Sequence, residues 1–504
     1  MPPYFRRMGI LRTKSIEDVL AQGNLDAHGD PIPGKGSLAK NLSAWDLVGF
    51  GIGIVIGTGI FTLTGTQAKN NAGPAIVIAF LVAGFISLLA ALCYAELASA
   101  VPAAGSSYTY AYTTIGEIFA WIIAWDLILE FALGAAVVAR GWSAYLQGVF
   151  PFLPTSLFGE DSVVNLGAVF IVLVLGWIAV RGVRESARVT NLLVLVKVSV
   201  CLFVIVVGFF FIDAANLMPF VPPATPIPPD EQLGGLTAPL WQFVSGVEPS
   251  AFGLAGVFVA AGVVFFAYSG FEAVANLGEE TGNPKRDMPL GLLGTLGVCT
   301  VLYVLVCLVI TGMVNYADLS EGDAVADVFD VVGLGWAGVL IGVAAVAGLS
   351  SVILVDIVAM GRIGYALGRD GLLPPRFAKI HPTWNTPVLM TVLTVAVVAV
   401  LAAVVPLDAL AEMVSIGTLF AFLVVSIAVP ILRAKRPDMT RSFRTPFSPV
   451  LPVVSAVCCL GLMASLATET WLRFLVWLVI GLVVYFAYGR THARLAKADA
   501  PTVA

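Results

Sequence analysis

Apolar residues fall along this chain in runs of about 20, each long enough to cross the hydrocarbon layer of a bilayer as a helix. The runs lie near 44–67, 74–100, 118–147, 163–180, 189–212, 253–277, 289–312, 335–361, 386–404, 409–432, 449–468 and 471–489. No long polar stretch that could fold separately interrupts them. The pattern predicts an all-α polytopic membrane protein with 12 transmembrane helices in one integral domain.

The first run contains Gly51-Ile52-Gly53-Ile54-Val55-Ile56-Gly57-Thr58-Gly59-Ile60-Phe61. Glycine is a poor helix former, and Gly57-Thr58-Gly59 predicts an interruption. A break inside hydrocarbon survives only where something replaces the lost backbone partners, so one reading is a discontinuous helix forming half of a ligand site. The other is a tight helix crossing through small residues.

Composition supports the membrane assignment: 59% of the 504 residues are apolar and 12% charged, against roughly 45–50% and roughly 25% in soluble domains. Charge gives an orientation, because Lys and Arg gather on the inner side. All basic residues but Lys69, Arg140, Lys197 and Arg473 fall in one alternating set of connections and tails, and the connections 213–252 and 313–334 carry none. Both termini are therefore expected in the cytoplasm. Residues 1–43 lack an apolar core, so they read as a tail and not as a cleavable signal; Ser15–Leu20 reads as a short surface helix or as solvated chain. Lys69 and Arg473 sit at outer ends of runs, while Arg140 is expected to reach water or a carboxylate within the bundle.

The six cysteines lie in apolar runs without metal spacing, and His28, His381 and His492 lie in polar stretches. No metal, cofactor or nucleic acid is expected, and no nucleophile, base and orienting group occur together, which argues against an enzyme. The sparse, clustered charges argue against a channel.

A second interruption is expected in the sixth run, at Ser269-Gly270 within Val263–Glu272, with a simple kink as the alternative. It comes five runs after the first, the offset an inverted repeat would produce. Five stretches now point the same way: Arg12-Thr-Lys-Ser-Ile-Glu-Asp18, Leu42–Phe61, Phe266-Ala-Tyr-Ser-Gly-Phe-Glu272, Gly278-Glu-Glu-Thr-Gly-Asn-Pro-Lys-Arg-Asp-Met-Pro289 and Arg369-Asp-Gly-Leu-Leu-Pro374. In this order they resemble the cationic amino acid transporter family of the amino acid, polyamine and organocation superfamily, bacterial branch. The resemblance implies a LeuT-like five-plus-five inverted repeat working by alternating access. The repeats would be 44–212 and 253–434, joined by an outer loop 213–252. The cytoplasmic tail 1–43 precedes them; two peripheral helices in 435–489 and a cytoplasmic tail 490–504 follow.

The resemblance also implies residue roles. Thr58 and Gly59 would meet a substrate carboxylate, and carbonyls of Val55, Phe266, Ala267 and Ser269 its ammonium, with Phe266 also a candidate gate. Lys197, in the middle of the fifth run, stands where sodium-coupled proteins of this fold hold a cation, facing carbonyls around Gly53 and Ile56. It reads as a proton carrier or as a fixed structural ammonium. Glu130 is its expected partner, with Asp126 nearer the inner end. Asp356 falls where the resemblance implies the side-chain part of the pocket, and it would pair with a cationic substrate, pair with Arg140, or stay protonated. Glu272 is expected to bond the loosened backbone; Glu96, Glu279 and Glu280 are expected at an inner gate or as helix caps.

These readings predict a secondary transporter of the cytoplasmic membrane, importing amino acids, possibly cationic ones, by proton symport. An exchanger or a broad neutral amino acid permease is the alternative. Substrate, proton and lipid bilayer are the expected partners, with a small accessory transmembrane subunit as a further candidate.

Overall fold

The structure is a computed structural model that describes residues 11–15, 19, 42–101, 106–159, 162–182, 187–228, 235–278, 280–384, 386–439 and 441–495. The expected surface helix over Ser15–Leu20 lies largely outside these residues, as do Glu279 and most of both tails.

Helix α1, Ala44–Val55, starts at Ser43, whose side chain and Asp46 satisfy each other's backbone amides in a capping box. It stops at Ile56, which is extended at ψ 100°. The chain resumes as helix in three short pieces, π-helical at Gly59–Leu63 and Ala68–Ala72 with the α-helical Thr64–Gln67 between them. There follow α2 (Ile76–Ala100), α3 (Ser106–Thr114), α4 (Glu117–Val149), α5 (Leu166–Arg181) and α6 (Ala187–Gly208). Helix α7, Gly253–Val264, passes into a 3-10 turn, Phe265–Tyr268, and after a break into another, Phe271–Leu277. The rest of the bundle is α8 (Pro284–Met313), α9 (Ala324–Val331), α10 (Gly335–Arg369), α11 (Val388–Val404), α12 (Leu407–Lys435), α13 (Val450–Ala464) and α14 (Thr468–Val484).

Among the described residues, eight helical stretches are long and apolar enough to cross a membrane, and α1, α5, α11 and α13 are shorter apolar helices. The chain is thus a mostly helical, multi-span membrane protein. Among the described residues, α3, α9 and the short helix Leu240–Ser245 were not anticipated. All three are too short to register as apolar runs, and they lie in connections the hydrophobic pattern treats as loop. Helix α10 also continues to Arg369, beyond the expected end at 361, because hydropathy tracks hydrocarbon whereas a helix continues into water.

The core is built by α4 against α10 and α12, and by α8 against α1 and α2. Helices α13 and α14 present exposed apolar faces, including Val457, Val476 and Val479. At the end of the bundle that carries residues 11–15, one acid ties several elements together. Glu96, fully buried on α2, accepts from Nε and Nη2 of Arg433 at 2.9 and 2.7 Å and from the amide of Thr445 at 2.8 Å. Arg441 Nε lies 3.3 Å from its other side. Glu96 is therefore a side-chain tie between α2, α12 and the following connection, where a gate or cap role was expected. Glu280 contributes its carbonyl to the amide of Leu42, just ahead of α1.

The N-terminal segment is strapped beneath the same end. Lys14 Nζ bonds Asp370 at 3.3 Å, Tyr108 donates to Asp370 at 2.8 Å, and the amide of Glu117 donates to the Arg12 carbonyl at 2.8 Å. Glu117 also accepts from Tyr485 at 2.8 Å, and the amide of Arg494 donates to the Asp370 carbonyl at 3.0 Å.

Glu96→Ala leaves Arg433 and Arg441 without their shared counter-charge. The expected loss is about 3–5 kcal/mol, read as a lowered thermal unfolding midpoint in detergent, with Glu96→Gln retaining part of the stability through its remaining acceptor.

Candidate substrate site

The two interruptions meet. A Cβ built on Gly59 would overlap the Cα and Cβ of Ala267 and lie 3.0 Å from its amide nitrogen, so only glycine permits this approach between the two broken helices. The second break is at Ser269, extended at ψ 150°, and Gly270, left-handed at φ 95°. A Cβ at Gly270 would lie 2.6 Å from Cγ2 of Ile54, in the last turn of α1. The expected interruptions are thus real, and the Gly-Thr-Gly run supplies a close contact as well as a break.

Each break leaves backbone groups that the helix no longer serves. At the end of α1 the Ile52 carbonyl is met by the Ile56 amide at 3.0 Å and the Gly53 carbonyl by Lys197 Nζ at 2.7 Å. The Val55 carbonyl accepts from the Tyr303 hydroxyl at 2.7 Å, and the Ala267 carbonyl lies 3.1 Å from that same hydroxyl. The Phe266 carbonyl accepts from Ser269 twice, from its amide at 3.1 Å and its hydroxyl at 2.8 Å. The freed amide of Gly270 donates to both carboxylate oxygens of Glu272 at 3.2 and 3.1 Å. Glu272 therefore has the backbone-bonding place expected of it. Three of the four carbonyls expected to face an ammonium already have a protein donor; those of Val55 and Ala267 keep a second lone pair, whereas that of Phe266 accepts twice from Ser269.

A small cavity, of about 30 Å³, opens at the breaks. Val55, Thr58, Gly59, Phe266, Ser269, Glu130 and Asp356 line it, so seven residues singled out from the sequence converge. Thr58 is fully buried, its hydroxyl without a protein hydrogen-bond partner. Ile54, Phe131, Val138, Val352 and Val414 give the wall its apolar character. Gly134 makes room for Asp356, since a Cβ there would lie 3.2 Å from Oδ2.

Ala267 and Lys197 do not line the cavity. Ala267 is spent on the contact with Gly59. Lys197 lies across α1, and its side chain packs on Gly348 of α10, where a Cβ would meet its Cε at 3.0 Å. The expected Lys197–Glu130 pair is not formed. Asp356 is the acid whose field reaches Lys197, while Glu130 interacts with Glu272 and Asp126. The reason is that α1 stands between Lys197 and the cavity face of α4, which run spacing does not reveal. Both oxygens of Asp126 are buried without a hydrogen-bond partner. Arg140 donates to the Ala402 carbonyl at 3.2 Å. Among the described residues, no three His, Cys, Asp or Glu side chains converge as metal ligands would.

Sequence reasoning missed Tyr303. Its only signal was a tyrosine inside an apolar run, which reads equally as packing.

The geometry can now be set beside known proteins. The amino acid permease family model matches residues 42–494. The chain is 43% identical over 497 residues to a methylthioribose transporter of Bacillus subtilis (strain 168), covering 97% of this chain and 99% of that one. It is 41% identical over 498 residues to a branched-chain amino acid permease of the same organism, at 96% and 99% coverage. A vacuolar cationic amino acid transporter of Arabidopsis thaliana is 36% identical over 437 residues, 85% of this chain and 68% of that one.

Two glycines of the first break are expected to differ. Gly59→Ala forces the helical turns Gly59–Leu63 and Phe265–Tyr268 apart and costs about 1–3 kcal/mol. Gly57→Ala, whose new methyl would find its nearest neighbour, Val352 Cγ2, at 3.8 Å, costs roughly 1 kcal/mol or less. Thermal unfolding of the two purified variants compares them directly.

Proposed function

The chain belongs to the amino acid permease family, and from that premise we propose that it is a secondary active transporter importing amino acids across the cytoplasmic membrane by proton-coupled alternating access. It is a transporter and not an enzyme. The observation that carries the reading is the meeting of two interrupted helices, Gly59 against Ala267, beside a cavity that both line. Free amides beginning the resumed helix after Thr58 suit a carboxylate, and the carbonyls of Val55 and Ser269, which line the cavity, suit an ammonium.

In this reading 12 spans form the repeats 44–212 and 253–434, with 213–252 outside, two peripheral helices in 435–489 and both termini in the cytoplasm. Lys197 carries the coupling proton. Deprotonation weakens the bond from Lys197 to the Gly53 carbonyl, which links proton release to the position of α1. Glu130 is a second candidate for proton exchange, acting with Glu272 instead of Lys197.

Asp356 selects the side chain. Among the described residues, no basic side chain lines the cavity, whereas Glu130 and Asp356 do, and a cationic side chain such as that of lysine, arginine or ornithine would complete a charge-assisted pair. A second reading, a neutral amino acid permease, is favoured by the five apolar wall residues and by the likeness to a branched-chain permease.

Two experiments separate these. In proteoliposomes with an imposed inward proton gradient and no internal amino acid, the wild type is expected to accumulate substrate, which an obligate exchanger does not; Lys197→Ala is expected to lose the pH dependence. Equal pH dependence in both proteins would sink the coupling role. In a substrate panel, Asp356→Asn is expected to weaken lysine or arginine uptake about tenfold or more, as loss of a charged hydrogen bond of roughly 1.5–3 kcal/mol requires, while leucine uptake is retained. Intact arginine and lysine uptake would leave the neutral reading.

A further inference from the structure

Tyr303 is fully buried on α8 and makes the one side-chain contact among the described residues in which a single hydroxyl touches carbonyls of both interrupted helices, Val55 at 2.7 Å and Ala267 at 3.1 Å. A hydroxyl has one proton to give, so the two carbonyls share it. That proton holds together two like-signed dipole ends that would otherwise repel.

The hydroxyl cannot easily turn away. The ring of Tyr303 sits edge-on to Phe80, with centroids 5.5 Å apart, and to Tyr268, 5.4 Å apart. Tyr268 is itself anchored by donating to the Phe80 carbonyl at 2.9 Å. The phenol is thus a fixed strut from α8 to the junction of the two breaks. Val55 lines the cavity whereas Ala267 stands behind it. The strut therefore transmits the position of the broken sixth run to the wall that a substrate would touch.

We propose that Tyr303 is a positioning residue for recognition of the substrate's α-ammonium: by tying the Val55 carbonyl to that of Ala267 behind the wall, its hydroxyl fixes the direction of the Val55 carbonyl and leaves that carbonyl's remaining lone pair for a second donor. The inference rests on the reading that the cavity takes an α-amino acid. Without the hydroxyl both carbonyls lose their shared donor, their separation relaxes, and the advantage of a compound bearing an α-amino group over the same compound lacking one shrinks. Carboxylate and side-chain recognition involve other residues and stay as they were.

The test uses the full chain, purified in detergent, and ligand-induced thermal stabilisation with two matched pairs of probes, L-lysine against ε-aminocaproate and L-leucine against isocaproate. In the wild type, at least one amino acid is expected to bind tenfold or more tighter than its partner without the α-amino group. Tyr303→Phe, which keeps the ring and its aromatic contacts, is expected to reduce that ratio about tenfold by weakening the amino acid alone. Tyr303→p-aminophenylalanine restores N–H donors at the junction and is expected to bring the ratio within about threefold of wild type. An unchanged ratio in Tyr303→Phe, equal loss for both members of a pair, or a low ratio in the p-aminophenylalanine variant overturns the proposal while leaving amino acid binding standing. A wild type that binds neither amino acid overturns the amino acid reading and the proposal together.

Discussion

A peptide group that leaves a helix inside hydrocarbon has no water to turn to, and leaving it unpaired costs several kcal/mol. The polar architecture of this bundle follows from that constraint applied twice. Lys197 comes from α6, Tyr303 from α8, and Ser269 and Glu272 from the broken sixth run itself, and each supplies a donor or acceptor that an interrupted helix lost. None of them stands at the head of a run of similar residues. They are single polar side chains in apolar surroundings, placed where the backbone is broken.

The partners differ in chemistry, and the difference is informative. A hydroxyl or a backbone amide stays a donor across the physiological range, whereas an ammonium donates in both of its states but binds a carbonyl strongly only when charged. The Gly53 carbonyl is thus the labile point among otherwise constant bonds. Carboxyl groups are distributed with matching asymmetry. Glu130 and Asp356 border the cavity and Glu272 backs it, whereas the one buried ammonium near them stands on the other side of α1. The thin wall between them is a helix end held by three different donors.

The fold was legible wherever apolar length or glycine carries the signal. The interruptions at Gly57 and Ser269-Gly270 could be read because glycine and serine disfavour helix in any context. Lys197 could be placed against Gly53 only through the resemblance, which puts a cation at that place in sodium-coupled proteins of the fold. Reading failed where meaning depends on which faces meet. Glu130 was assigned to Lys197 by depth alone, but two residues at equal depth can lie on opposite sides of a helix. Tyr303 gave no warning, since phenol in an apolar run is ordinary and only the arrival of two carbonyls at its hydroxyl makes it otherwise. Ala267 was expected at the cavity and instead faces Gly59, because a residue next to a break is as free to pack as to bind. Helices α3 and α9 fell below the length that hydropathy detects.

The strap at the basic end has a consequence for biosynthesis. Lys14 and Arg12 leave the ribosome early, yet the acids that hold them, Asp370 and Glu117, are themselves gripped by Arg494 and Tyr485. Residues 12 and 14 are therefore made long before the partners that complete their contacts. The closure they share with residues 485–494 forms only once α14 has been inserted, so it couples the packing of an early segment to that of a late one.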